Sequence, residues 1–69
     1  MPIVTICLLE GRSGEQKKRL IKQVTESLTA ALNIPPERVR VILQETPREN
    51  YGIAGLPVRE YRKQAGEGQ

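Results

Sequence analysis

The feature that most constrains this fold is one long amphipathic helix placed between two apolar strands. The helix is predicted to begin after Ser13, because Ser13 and Gln16 have the spacing of a capping box. It is predicted to end at Asn33, because the prolines at positions 35 and 36 cannot continue the helical hydrogen bonds. The apolar residues of its one hydrophobic face are Leu20, Ile21, Val24, Leu28, Ala31 and Leu32.

A strand is predicted on each side of this helix. Residues 2–9 (PIVTICLL) are apolar on both alternating faces, which is typical of a strand covered on both sides. Residues 38–45 (RVRVILQE) have one apolar face and one mixed face. A strand, a helix and a strand with short connections favour a right-handed crossover and a parallel strand pair. We therefore expect an α/β (α+β) fold in one domain, residues 1–69, with one sheet face covered by the helix and the other by another subunit.

The size of the chain also points to self-association. Its 69 residues include one cysteine and no histidine, so neither an intrachain disulfide nor a Cys/His metal cluster can stabilise it. A chain this short buries only about 60% of its unfolded surface, and oligomerisation is the remaining way to enlarge the core. We therefore predict a homo-oligomer that holds no metal.

The sequence has no secretory h-region and no apolar run of the ~20 residues that a membrane span requires. This pattern predicts a soluble, cytoplasmic protein that does not bind a membrane. The lone Cys7 fits a reducing compartment. Because Cys7 alternates with Thr5 and Leu9 along the first strand, a buried apolar role is favoured over a reactive thiol.

The net charge of +3 and the pI near 9.4 favour an anionic partner, either nucleic acid or a small anionic metabolite. With two tyrosines, no Phe, no Trp and no glycine-rich phosphate loop, the composition favours the metabolite. The basic cluster at positions 17, 18, 19 and 22 is predicted to be a solvated helix face rather than a DNA-binding surface. We expect no nucleic-acid partner.

The C-terminal third is predicted to form a hairpin followed by a tail. Gly52 and Gly55 flank Ile53 in a pattern suited to a tight hairpin, which could clamp onto a neighbouring subunit. Residues 64–69 (QAGEGQ) are predicted to be a flexible tail.

An enzyme without histidine must take its general base from a carboxylate, a lysine, a tyrosine or the N-terminal amine. Pro2 makes the last option plausible, because removal of Met1 would leave a free secondary amine at the start of the first strand. The simpler alternative is that Pro2 only begins the strand, where a proline costs no ladder hydrogen bond. Burial and nearby cations would lower the pKa of such an amine from its ordinary value of about 8 toward neutrality.

Two arginines are placed to be those cations. Arg12 lies in the turn after the first strand, and Arg40 lies in the middle of the second strand. The alternatives are a solvated turn residue for Arg12 and an intersubunit salt bridge for Arg40. Tyr51, which precedes a flexible glycine, could be the aromatic wall of a site or a core residue.

These residues lie within a longer resemblance. The run from Pro2 to about Arg62 resembles the 4-oxalocrotonate tautomerase family of small tautomerase subunits. Four motifs agree with that family in order and spacing: a proline directly after Met1, LLEGRS, VRV in the second strand, and an aromatic residue before GIAG. The resemblance implies a β-α-β fold assembled as a hexamer, usually a trimer of dimers, with active sites shared between subunits and no cofactor.

The resemblance also implies a role for each candidate residue. Pro2 would be the catalytic base, Arg12 would hold the remote carboxylate of the substrate, and Arg40 would bind the near carboxylate or the carbonyl oxygen. Tyr51 replaces the family's phenylalanine, which keeps water off the amine. Leu9 and Ile53 would complete the substrate-binding wall.

The implied substrates are dienols of 2-hydroxy dicarboxylic acids such as 2-hydroxymuconate, from aromatic hydrocarbon catabolism. A simpler enol such as phenylenolpyruvate would also suit one amine and two arginines. Relatives in the wider superfamily use the same proline for dehalogenation, hydration or decarboxylation, but the hydrating ones add a carboxylate, for which Glu49 is a weak substitute. The non-enzymatic alternative is a basic oligomeric binding protein, for instance for RNA.

Overall fold

The structure is a computed structural model that describes residues 1–64 and residue 66. Its elements in chain order are the strand β1 (Ile3–Leu9), the helix α1 (Gly14–Leu32), the strand β2 (Arg40–Thr46), the short strands β3 (Gly52–Ile53) and β4 (Leu56–Pro57), and the helix α2 (Val58–Gln64). Single 3-10 turns at Pro36–Arg38 and Arg48–Asn50 flank β2. The predicted α/β (α+β) class is confirmed.

The strands β1 and β2 pair in parallel, as predicted. Their register runs from Ile3 opposite Arg40 to Leu9 opposite Thr46. One further backbone hydrogen bond closes each end of the ladder: Arg40 donates to the Pro2 carbonyl over 3.0 Å, and Glu10 donates to the Thr46 carbonyl over 3.0 Å. The pairing therefore holds the residues before and after β1 at defined positions.

The helix α1 has both predicted ends. The Ser13 hydroxyl accepts from the Gln16 N–H over 3.1 Å, and the Gln16 side chain accepts from the Ser13 N–H over 3.2 Å, which completes the capping box. Asn33 ends the helix in the left-handed conformation, with φ of 58°. Neither α1 nor α2 is long and apolar enough to cross a membrane, as far as the described residues show.

One face of α1 covers one face of the sheet. Leu20, Val24 and Leu28 are half-buried, whereas the basic residues at 18, 19 and 22 are exposed, as predicted for a solvated face. An ion pair of 3.2 Å between Lys17 and Glu45 joins the first turn of α1 to the end of β2. Both side chains remain about one-third exposed, so this pair contributes little to stability.

The other face of the sheet is uncovered in the single chain. Ile3 is 63% exposed and Ile42 is 48% exposed on this face. Cys7 lies on the same face and is exposed, with its Sγ donating to Gln44 Oε1 over 3.4 Å, so the prediction of a buried Cys7 is wrong for one chain. The reason is that one helix can cover only one side of a two-stranded sheet.

The predicted hairpin is present, and its turn lies at Ala54 and Gly55. Both residues have positive φ, 54° and 85°, which is the backbone of a two-residue type I′ turn. The helix α2, which follows the hairpin, was not predicted, and Gln64 belongs to it rather than to a flexible tail. Its anchor is Val58, which is fully buried. The predicted tail otherwise falls largely outside the described residues.

Removal of the cap at Ser13 tests the origin of α1. Ser13→Ala should lower the free energy of unfolding by about 0.5 to 2 kcal/mol, because the Gln16 N–H loses its acceptor. Urea denaturation at constant protein concentration measures this change, and Ser13→Asn, which retains a capping oxygen, is the control. Equal midpoints for Ser13→Ala and wild type would show that the capping box contributes nothing.

Candidate active site

The candidate catalytic residues lie in two groups at opposite ends of β1. Pro2 and Arg40 are at its beginning, and Arg12 and Tyr51 are beyond its end. The strand has seven residues, so it separates the two groups by about 23 Å at ~3.3 Å per residue. One chain therefore does not bring Pro2 and Arg12 together.

At the first end, Pro2 is half-buried and lies beside the start of β2. Its carbonyl accepts from the backbone N–H of Arg40, and the Arg40 guanidinium donates through Nη1 to the Glu37 carbonyl over 2.6 Å. Arg40 is the first residue of β2 and not a mid-strand residue as predicted, because the 3-10 turn Pro36–Arg38 occupies the chain before it. The basic side chain therefore lies at the same end of the sheet as Pro2.

At the second end is a cavity of about 350 Å³. Three of the predicted residues line it together: Leu9, Arg12 and Tyr51. Tyr51 is 39% exposed, so it is a wall of this cavity rather than a core residue. Arg12 is exposed at the turn, and its guanidinium has no ion-pair partner among the described residues.

Hydrogen bonds around Glu10 hold the walls of the cavity in place. The carboxylate of Glu10 accepts through Oε2 from the Arg48 backbone N–H over 3.1 Å, which joins the end of β1 to the second 3-10 turn. The Tyr51 N–H in turn donates to the Arg48 carbonyl over 3.2 Å. Gly11 has φ of 118°, a conformation that residues with a Cβ rarely adopt. These contacts set the position of Arg12 relative to Tyr51.

Sequence reasoning missed the three other charged residues that line the cavity, Glu10, Arg48 and Arg62. No local sequence signal indicates that Arg48 folds back onto Gly11. The position of Arg62 depends on α2, which was itself not predicted.

The remaining candidate, Ile53, does not line this cavity. It is half-buried in β3 and pairs with Leu56 across the hairpin. Glu49 is exposed and also lies outside the cavity lining. Among residues 1–64 and 66, no group of His, Cys, Asp or Glu side chains could hold a metal ion.

Comparisons with known proteins agree with this architecture. The sequence model of the family described as "Tautomerase enzyme" matches residues 2–61. A 2-hydroxymuconate tautomerase of Pseudomonas putida is 46% identical over 63 residues, which is 91% of this chain and 100% of that protein. The fold and these similarities define an isomerase of the small tautomerase class.

Solved structures show the same similarity. A 4-oxalocrotonate tautomerase homologue of the tomaymycin biosynthetic pathway is 39% identical, with a TM-score of 0.85 over 90% of this chain and 95% of its own. A heterohexameric 4-oxalocrotonate tautomerase from Chloroflexus aurantiacus is 37% identical, with a TM-score of 0.83 over 90% of this chain and 100% of its own. The chain belongs to the 4-oxalocrotonate tautomerase family and is a tautomerase.

Substitution of two nearby glycines tests whether the turn that carries Arg12 requires a glycine. Gly11→Ala should destabilise the protein by about 1 to 3 kcal/mol, because alanine is strained at this positive φ. Gly14→Ala is the matched control: a Cβ there meets nothing within 4 Å, so we expect a change between zero and a stabilisation of about 1 kcal/mol. Chemical denaturation measures both, and equal effects would contradict the strained turn.

Proposed function

We propose that this protein ketonises enols and dienols of 2-hydroxy carboxylic acids, with 2-hydroxymuconate as the representative substrate and the amine of Pro2 as the base. The observation that carries the proposal is the 46% identity over the full length of a 2-hydroxymuconate tautomerase. Residues suited to each step support it: a proline directly after Met1, Arg40 beside it, and Arg12 in a basic cavity.

The reaction moves one proton. The neutral Pro2 amine accepts the proton of the 2-hydroxyl group, and the oxygen electron pair forms the carbonyl while the conjugated double bonds shift. The protonated amine then returns the proton to a distant carbon, where a new C–H bond forms, and the free amine is regenerated. Negative charge develops on the substrate oxygens, where a guanidinium such as that of Arg40 lowers the energy of the transition state.

We propose that each active site combines residues of different chains in a homo-hexamer. The separation of Pro2 from Arg12 supports this, since neither side chain spans the length of β1. The Cα radius of gyration of 15.7 Å supports it too, because a compact chain of this length would have about 11 Å. The exposed Ile3 and Ile42 provide an apolar surface for association. The heterohexameric relative shows that this fold supports such an assembly.

Tyr51 would form the wall that limits the access of water to the amine. Its ring lines the same cavity as Arg12 and Leu9. The hydroxyl group makes this wall more polar than a phenylalanine would. We therefore expect Tyr51→Phe to retain tautomerase activity, measured as kcat/KM for 2-hydroxymuconate.

Blocking the Pro2 amine tests the base directly. A variant with one extra residue before Pro2 should lose tautomerisation of 2-hydroxymuconate, because the amine becomes a non-basic amide. Pro2→Ala retains a primary amine and should keep a small fraction of the activity. The wild-type kcat/KM should rise with pH as the amine loses its proton, because only the neutral amine can accept the proton of the substrate.

Mass spectrometry of the intact chain must show that wild type has lost Met1 and that the extended variant has kept its extra residue. Circular dichroism and sedimentation must confirm that the extended variant folds and assembles, as we expect because Met1, which already precedes Pro2, is exposed. Full activity in an assembled, extended protein would exclude Pro2 as the base.

A mixing experiment tests whether sites are shared between chains. The extended variant should be inactive because its Pro2 amine is blocked, and Arg12→Ala should be weakly active because it lacks the guanidinium. After unfolding and refolding together in equal amounts, about one quarter of the sites should contain an intact Pro2 and an intact Arg12 from different chains. Activity should therefore rise well above that of either variant alone. No gain in mixed oligomers, verified by mass spectrometry, would show that both residues come from one chain.

A further inference from the structure

We propose that Arg48 is a specificity-determining residue that binds the remote carboxylate of the substrate together with Arg12. The inference rests on the proposed function, because it concerns which enols that site prefers. It assigns to this chain a preference for dicarboxylates over monocarboxylates.

The first argument is the position of Arg48. It lines the cavity that Arg12 and Tyr51 also line, and it is half-buried. Its Nη2 lies 2.9 Å from the point where a Cβ on Gly11 would be, so the guanidinium lies directly against the residue before Arg12. A Cβ at position 11 would collide with this guanidinium. Glycine has no Cβ and therefore leaves room for it.

The second argument is that the backbone of Arg48 is held in place. Its N–H donates to Glu10 Oε2, and its carbonyl accepts from the Tyr51 N–H. Both bonds connect it to residues that line the same cavity. The guanidinium therefore starts from a fixed backbone, which reduces the entropy that binding would otherwise cost.

The third argument is the charge of the cavity. Three arginines, Arg12, Arg48 and Arg62, and one acidic residue, Glu10, are among the residues that line it. Within the described part of the chain, neither Arg12 nor Arg48 has a carboxylate at ion-pair distance. Like charges that line one cavity repel each other, and a bound anion relieves that repulsion. Guanidinium groups also match a carboxylate geometrically, through paired N–H donors.

The substrate preference follows from these three observations. A dicarboxylate enol places its second carboxylate among the guanidinium groups, whereas phenylenolpyruvate has only an aromatic ring to offer there. Arg48 should therefore contribute to the binding of 2-hydroxymuconate and contribute little to that of phenylenolpyruvate.

Steady-state kinetics of Arg48→Gln tests this difference. We expect kcat/KM for 2-hydroxymuconate to fall by about 10-fold to 100-fold, mostly through KM, because one charge-assisted carboxylate contact is lost. The kcat/KM for phenylenolpyruvate should change by less than about 3-fold. Arg48→Lys should recover part of the loss, since it restores the charge without the paired donors. Arg19→Gln, which removes the same charge from an exposed position on α1, should alter neither substrate.

Binding of unreactive ligands separates this inference from the proposed function. Muconate and sorbate share a carbon skeleton, but sorbate has a methyl group in place of the second carboxylate. Measured by calorimetry, Arg48→Gln should weaken the binding of muconate about 10-fold and leave the binding of sorbate unchanged. Failure of wild type to ketonise 2-hydroxymuconate would overturn the proposed function, while this binding difference would still support Arg48 as a dicarboxylate ligand. Equal losses for both ligands, or no loss for either, would overturn the role of Arg48.

Discussion

The parallel pairing of β1 with β2 is the interaction on which the other features of this molecule depend. Parallel strands need a crossover, and here the crossover is a single helix, which covers one face of the sheet. The pairing also places Pro2 beside Arg40 through a ladder hydrogen bond. At the other end it places Glu10 beside Thr46, from which the chain turns toward Arg48. One strand register therefore fixes the positions of the residues at both ends of β1.

The same pairing explains why a chain this small would have to associate with others to form the proposed active site. A strand of seven residues separates Pro2 from Arg12, so the two cannot act together within one chain. The uncovered apolar face provides a physical reason for chains to associate. In the assembly that we propose, association of the chains buries the exposed apolar face. The same association brings Pro2 of one chain to Arg12 of another.

The predictable parts of the structure were those encoded locally. Ser13 and Gln16 specify the start of α1, and Asn33 with the following prolines specifies its end, since caps and breaks depend on residues within one turn. The helix α2 was missed because it has only seven residues and depends on the burial of Val58, a tertiary contact.

The candidate site shows the same division. Pro2, Arg12, Arg40 and Tyr51 were selected from residue type and family resemblance, and the structure places Arg12 and Tyr51 around one cavity. The burial predicted for Cys7 is not found in the single chain, because α1 covers only the other face of the sheet. Arg48 was not selected, because its contact with Gly11 joins residues far apart in the sequence.

By itself, the sequence determined the strand, helix and strand order, the capped helix, the hairpin and the family, because each is carried by local spacing or by an ordered set of motifs. Only the tertiary structure decided that Arg40 lies at the same end of the sheet as Pro2 and that Arg48 shares a cavity with Arg12. The physical reason is that the strand register and the carboxylate of Glu10 bring distant segments together. Such contacts form only when the chain has folded.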